Sequence, residues 1–113
     1  MHAESGFLKI MAGEGVERKA VASYSHIFGM NEFEFGTINA NTLHIKADEE
    51  RHFQRPNVVR EEEEKSQLTS HIERVYTLVD NGSIEFKTFL GVGGGEPKLH
   101  NKGTLVKVCG TNA

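Results

Sequence analysis

The chain has 113 residues, 37% of them hydrophobic, with twelve glycines, one cysteine, no tryptophan and a formal charge of −3. That length is enough for one domain with a real core and calls for no second one. The composition argues against a nucleic-acid binder, which would carry a face rich in Lys and Arg interleaved with aromatics.

No apolar run approaches the length of a membrane span. The opening stretch interleaves His2, Glu4, Lys9, Glu14, Glu17 and Lys19 with apolar residues, unlike a signal peptide. Cys109 alone cannot form an internal disulfide, which suits a reducing compartment. A cytoplasmic or nuclear protein is therefore expected, and Asn81-Gly82-Ser83 reads as a turn rather than a glycan site.

In chain order, Ser5 to Met11 alternates, with Phe7 and Lys9 on one side and Leu8 and Ile10 on the other, and ends at Gly13 and Gly15. Val16 to Phe28 is a looser strand closed by Gly29. Met30 to Ile38 alternates cleanly, with Phe33 and Phe35 on one face and Glu32 and Glu34 on the other, the pattern of a half-buried strand. Gly36 predicts a bulge or bend. Asn39-Ala40-Asn41 turns the chain into Thr42 to Asp48, where Leu43, Ile45 and Ala47 oppose Thr42, His44 and Lys46.

Residues 49–67 read as a charged loop insertion without an apolar face, carrying Arg51, Arg55, Pro56 and the run Glu61, Glu62, Glu63, Glu64, Lys65. Order returns at Thr69. Ile72, Arg74, Tyr76 and Leu78 share a face up to Asp80-Asn81-Gly82, a strong hairpin signal, and Ile84, Phe86, Thr88 and Leu90 share a face beyond it. The glycines from Gly91 to Gly95 end that strand. Pro97 then predicts a short C-terminal helix, with Leu99, Gly103 and Val106 as its stripe. The sum is an all-β antiparallel meander of about six strands with a terminal helix, one domain over 1–113.

Few motifs carry chemistry. The glycine cluster fails as a phosphate loop, because Glu96 stands where a glycine belongs and Leu99 follows Lys98. There is no H-E-x-x-H and no cysteine cluster, so zinc is poorly supported. Of the histidines, His44 and His71 lie opposite apolar residues and face solvent, and His52 lies in the insertion. His2, His26 and His100 remain. In the first turn of a helix, His100 would sit at the positive dipole end, which favours the neutral ring that a metal needs. On residues alone an ordinary capping or surface histidine is the commoner reading.

The opening Met1-His2-Ala3-Glu4-Ser5-Gly6 resembles the M-H-A-E-S-G segment of the nitrobindins, small all-β haem proteins shaped like fatty-acid-binding proteins. The resemblance continues through Gly29 to Asn39 and Ile72 to Leu90. It extends into Leu99-His100-Asn101-Lys102-Gly103-Thr104-Leu105, which looks like the family's H-L-K-A-x-L helix, with Gly103 in place of an alanine.

The resemblance covers the C-terminal two-thirds of such a domain. It implies a partial barrel, about six of ten strands, of fatty-acid-binding-protein-like or lipocalin-like form. It also implies ferric haem b with His100 as proximal iron ligand, and a pocket lined by Met1, His2, His26 and Leu90. The implied activities are nitric oxide binding and, with haem bound, isomerisation of peroxynitrite to nitrate. The alternative is a non-enzymatic module carrying a small hydrophobic ligand or docking a protein partner. Open sheet edges in so short a barrel imply a homodimer.

Overall fold

Strand-forming alternation governs almost every segment of the chain, and in the computed structural model it produces one antiparallel sheet. The structure describes residues 4–13, 15–26, 29–55 and 68–108. The strands are β1 (Glu4–Ile10), β2 (Glu17–His26), β3 (Asn31–Asn39), β4 (Thr42–Ala47), β5 (Phe53–Gln54), β6 (Thr69–Leu78), β7 (Ile84–Val92) and β8 (Lys98–Leu105). They pair in the order β1-β2-β3-β4-β6-β7-β8, with β5 added to β3 beyond the end of β4. Each neighbour is the next long strand in the chain, so the sheet is a plain meander.

The sheet curls into a half-barrel whose concave side is its core. Register fixes which residues look inward: Leu8 pairs with Ala22, Ala22 with Glu34, Gly36 with Ile45, Ile45 with Arg74, and Arg74 with Thr88. Two apolar clusters form on this side. One joins Ala20, Ala22, Leu43 and Ile45, with Tyr24, Ile38 and Tyr76 against them. The other joins Met30, Ala47, Phe53 and Ile72, with Leu90 packed beside them.

Close backbone approach explains Gly36. The register runs through it without a bulge, and a Cβ there would lie 1.8 Å from the His44 carbonyl oxygen. The β6–β7 hairpin forms where Asn-Gly predicts it, with Val79 N–H donating to Ser83 O at 2.9 Å and Gly82 at φ +84°.

Among the described residues there are eight strands where about six were expected, β5 and β8 being the additional ones, and the sheet is the partial barrel expected. On β3, Glu32 and Glu34 are wholly buried, while Phe33 and Phe35 are 42% and 44% exposed on the convex side. Two expectations are overturned. The start of the insertion is structured, because a 3₁₀ turn at Glu50–His52 and the short β5 bury His52 and Phe53. Arg55 secures this segment by donating to Met30 Sδ at 3.3 Å and lying 4.9 Å over the Phe53 ring. The remainder of the insertion, including Glu61 to Glu64, lies outside the described residues.

The terminal helix is also absent. Lys98–Leu105 is strand β8, paired along β7, with the turn between them at 93–97, where Gly95 N–H donates to Val92 O. Sheet pairing wins over the local proline signal because the β7 edge offers ladder partners to the β8 backbone groups that face it. Gly103, unfavourable in a helix, has a reason here: it pairs with Phe86, whose ring would lie 2.9 Å from an added Cβ.

Candidate functional site

The concave face carries a layer of charge between its two apolar clusters. Arg74 reaches it from β6, Glu32 and Glu34 from β3, His26 from the end of β2 and Glu4 from the start of β1. Arg74 donates from Nε to Glu34 Oε2 at 2.7 Å, and from Nη2 to Glu32 Oε1 at 3.1 Å and Glu4 Oε2 at 3.0 Å. Its Nη1 donates to the other Glu4 oxygen. The guanidinium also lies 4.1 Å over the Tyr24 ring. His26 Nε2 shares a hydrogen bond with Glu32 Oε1 at 3.0 Å, and its Nδ1 is 3.5 Å from Glu4 Oε2.

Burial and charge set the protonation of this layer. Burial pushes the Glu34 carboxyl up to about 9, a rise opposed by Arg74 and reinforced by neighbouring Glu32. Burial works against charge on Arg74 as well, but the hydrogen bonds to Glu4 and Glu34 and their negative charge outweigh it and raise its pKa. Tyr24 is raised by burial and by Tyr76 beside it. Glu4, His26 and Glu32 bring one ligating atom each within 4.8 Å of one another. With the guanidinium already seated on both carboxylates, the group reads as an ion-pair network rather than a cation site.

Below this layer the concave face opens into a cavity of about 380 Å³ lined by Leu8, Tyr24, Ile38, Leu43, Tyr76, Leu78, Ile84 and Leu105. Its wall is hydrocarbon and two tyrosine rings, suited to an apolar ligand. A larger hollow of about 510 Å³ lies between β6, β7 and β8, but Glu85, Lys87 and Lys102 line it. The smaller, apolar concavity is the better ligand site.

The expected site residues fall as follows. Met1 and His2 lie outside the described residues. His26 is buried at the β1–β2 end of the sheet, and its N–H donates to Met30 O at 2.9 Å. Met30 in turn belongs to the cluster against which Leu90 packs, so His26 and Leu90 border one end of the concave face. Leu90 pairs with Lys98, and His100 stands two residues further along β8.

His100 is the extra residue of a β-bulge: Leu99 pairs with Phe89 and Asn101 with Thr88, leaving His100 between them, exposed. The helix-dipole argument disappears with the helix. The bulge replaces it as the special feature of this position, because a bulge re-aims a side chain out of the ordinary strand alternation. His44 and His71 sit on the convex side and share Glu73, which His71 Nε2 meets at 2.8 Å.

Sequence reasoning missed Glu32, Glu34 and Arg74. Alternation with phenylalanine separates the two glutamates onto one face without saying that this face is the buried one. The available signal was Arg74 itself, a lone cation in the Ile72, Tyr76 and Leu78 stripe, since a buried arginine requires carboxylates.

A curled antiparallel meander with an apolar concavity is the architecture of a partial β-barrel. The sequence matches, over residues 1–107, the family model described as the THAP4-like, heme-binding beta-barrel domain, and the chain belongs to that family. None of the curated proteins matches it. The resemblance to nitrobindins read from the sequence agrees with this family. The residues present fit a haem in kind: His100 offers an exposed imidazole, and Leu90, backed by the buried Met30, Phe53 and Ile72, offers an apolar side chain. Among the described residues no helix is long and apolar enough to cross a membrane.

Proposed function

We propose that this domain holds ferric haem b with His100 as proximal ligand, binds nitric oxide and isomerises peroxynitrite to nitrate. The observation that carries the reading is the match of residues 1–107 to a haem-binding barrel family. When bound, the haem supplies an iron with one coordination position open to a small ligand. His100 donates an imidazole nitrogen lone pair from the β8 bulge. Leu90 and the apolar cluster behind it exclude water from one side of the pocket. His26, with Met1 and His2 from the segment before β1, lines the pocket.

Stopped-flow decay of peroxynitrite, with nitrate quantified at the end, tests the activity. The hemin-loaded chain accelerates decay and raises the nitrate yield. No acceleration over an equal concentration of hemin with serum albumin refutes the isomerase reading.

The cavity of about 380 Å³ favours a second reading, a non-enzymatic carrier of a small hydrophobic ligand. Saturable binding of a fluorescent fatty-acid probe by a chain that fails to bind hemin would select it. Under either reading β1 and β8, the two ends of the sheet order, offer edges through which a homodimer forms. A monodisperse monomer by light scattering would refute the dimer.

A further inference from the structure

The two apolar clusters of the concave face lie toward opposite ends of its strands, and a polar belt separates them. On β6, Ile72 belongs to the cluster beside Leu90, Leu78 lines the apolar cavity, and Arg74 stands between them. At the rise of an antiparallel strand, Ile72 and Leu78 are roughly 20 Å apart. Register carries the belt past the buried carboxylates. Arg74 pairs with Thr88 and Thr88 with Asn101, and direct partners in a ladder share a face, so polar side chains continue it across β7 and β8.

The cavity end is built differently. Ladder partners Leu78, Ile84 and Leu105 form one apolar rung across β6, β7 and β8, and Ile38, Leu43 and Tyr76 form another across β3, β4 and β6. Leu8 reaches the same hollow from β1, so both ends of the sheet order wall it. Leu8, Leu78 and Leu105 are 46%, 49% and 49% exposed although they line this hollow, which marks an apolar wall that the described residues do not fill. Tyr24 lines it too, and its ring carries the Arg74 guanidinium at 4.1 Å, which sets the belt directly against the cavity wall. Among the described residues no charged side chain lines the hollow, and Arg74 is already hydrogen-bonded to Glu4, Glu32 and Glu34. A charged ligand head would find no partner in this wall and would keep its full desolvation cost.

We propose that this hollow is a second ligand compartment, for an uncharged, hydrocarbon-rich molecule of two or three rings, filled independently of the haem end. It rests on the second reading, in which the cavity carries a small hydrophobic ligand, and not on haem binding. Volume sets the size of the guest: an apolar cavity of about 150 Å³ holds one benzene, and this one measures about 380 Å³. The wall offers leucine and isoleucine side chains with two tyrosine rings, contacts suited to flat hydrocarbon bodies. A ligand with a carboxylate head enters only tail first, its head left in water at the open side.

The full chain without hemin is titrated with N-phenylnaphthylamine and, separately, with anilinonaphthalene sulfonate, which carries one negative charge on the same rings. The neutral probe saturates at one equivalent, and the sulfonate binds at least about tenfold more weakly. Leu78→Trp fills the hollow with an indole from a half-exposed position and weakens the neutral probe by at least about tenfold, and Leu105→Trp does the same from β8, each with the circular dichroism of wild type. Leu90→Ala, at the haem end, leaves the affinity within about twofold of wild type. No saturable binding, equal binding of the two probes, or wild-type affinity in either folded tryptophan variant overturns the site. A tenfold loss in Leu90→Ala overturns its independence. Equilibrium dialysis of the neutral probe against the hemin-loaded chain gives an unchanged affinity, and release of hemin by the probe would sink the separation equally. A chain that takes up no hemin refutes the haem reading alone, because the hemin-free titrations and Leu90→Ala decide this proposal without it.

Discussion

Replacing Arg74 by leucine removes the guanidinium seated among Glu4, Glu32 and Glu34 and leaves the volume of its stem largely filled. The guanidinium makes hydrogen bonds to all three carboxylates, and the arginine side chain is 6% exposed. Breaking a buried ion pair by removing one partner costs about 3–5 kcal/mol, because the remaining charge stays desolvated. A loss in that range at pH 7 is expected in urea unfolding.

The pH dependence separates this cause from mere repacking. Arg74 opposes the burial that raises Glu34, so without it the Glu34 carboxyl rises further above its unfolded value. A carboxyl raised on folding gives its full stability below the unfolded pKa and loses it as pH climbs through the folded one. The two proteins lose the Glu34 contribution in parallel up to about pH 9, and the deficit of the leucine variant widens above it, where the wild-type carboxyl has ionised and the variant's has not. A loss below about 1 kcal/mol, or a deficit independent of pH, would refute the reasoning that these carboxylates depend on Arg74.

Glu34→Gln carries the complementary expectation. In the wild type the Glu34 contribution is complete below about pH 4.5 and is lost up to about pH 9, with a slope of at most about 1.4 kcal/mol per pH unit. Urea unfolding of the glutamine variant lacks that slope, and identical pH profiles for the two proteins would contradict the assignment. Ile45→Ala empties a wholly buried position at the centre of the concave face and costs about 3 kcal/mol by the same assay. Gly36→Ala drives a methyl into the His44 carbonyl across the β3–β4 ladder, where only backbone movement relieves it, and lowers the melting temperature by several degrees.

Much of this fold is legible where alternation and turn chemistry agree. Leu43, Ile45 and Ala47 are buried as their spacing requires, and Asn81-Gly82 joins β6 to β7 as its dipeptide requires. Period-two alternation states that residues divide between two faces but not which face is the core. On β3 a convex side with exposed Phe33 and Phe35 and a concave side with Glu32 and Glu34 reverse the usual assignment, because Arg74 lies two strands away in the sheet and neutralises them. A partner so distant in sequence leaves no local mark.

The C-terminal segment fails for a different reason: Pro97 and a spaced apolar set resemble a helix start, whereas the long β7 edge supplies partners for β8 that no local window contains. His52 and Phe53 are hidden among charged neighbours, and their burial follows from β5 adding to β3. Among the site residues, Leu90 was readable from its shared face with Ile84 and Phe86. The position of His100 in a bulge was not, since bulges arise from pairing register.

Titration of the purified chain with hemin, beside His100→Ala, tests the central claim most directly. The account predicts a sharp, shifted Soret band at one equivalent for the wild type and its loss in the alanine variant, with both proteins equally folded by circular dichroism. Identical spectra for the two proteins would remove His100 as the iron ligand, and the absence of any shifted band in the wild type would contradict haem binding by this chain.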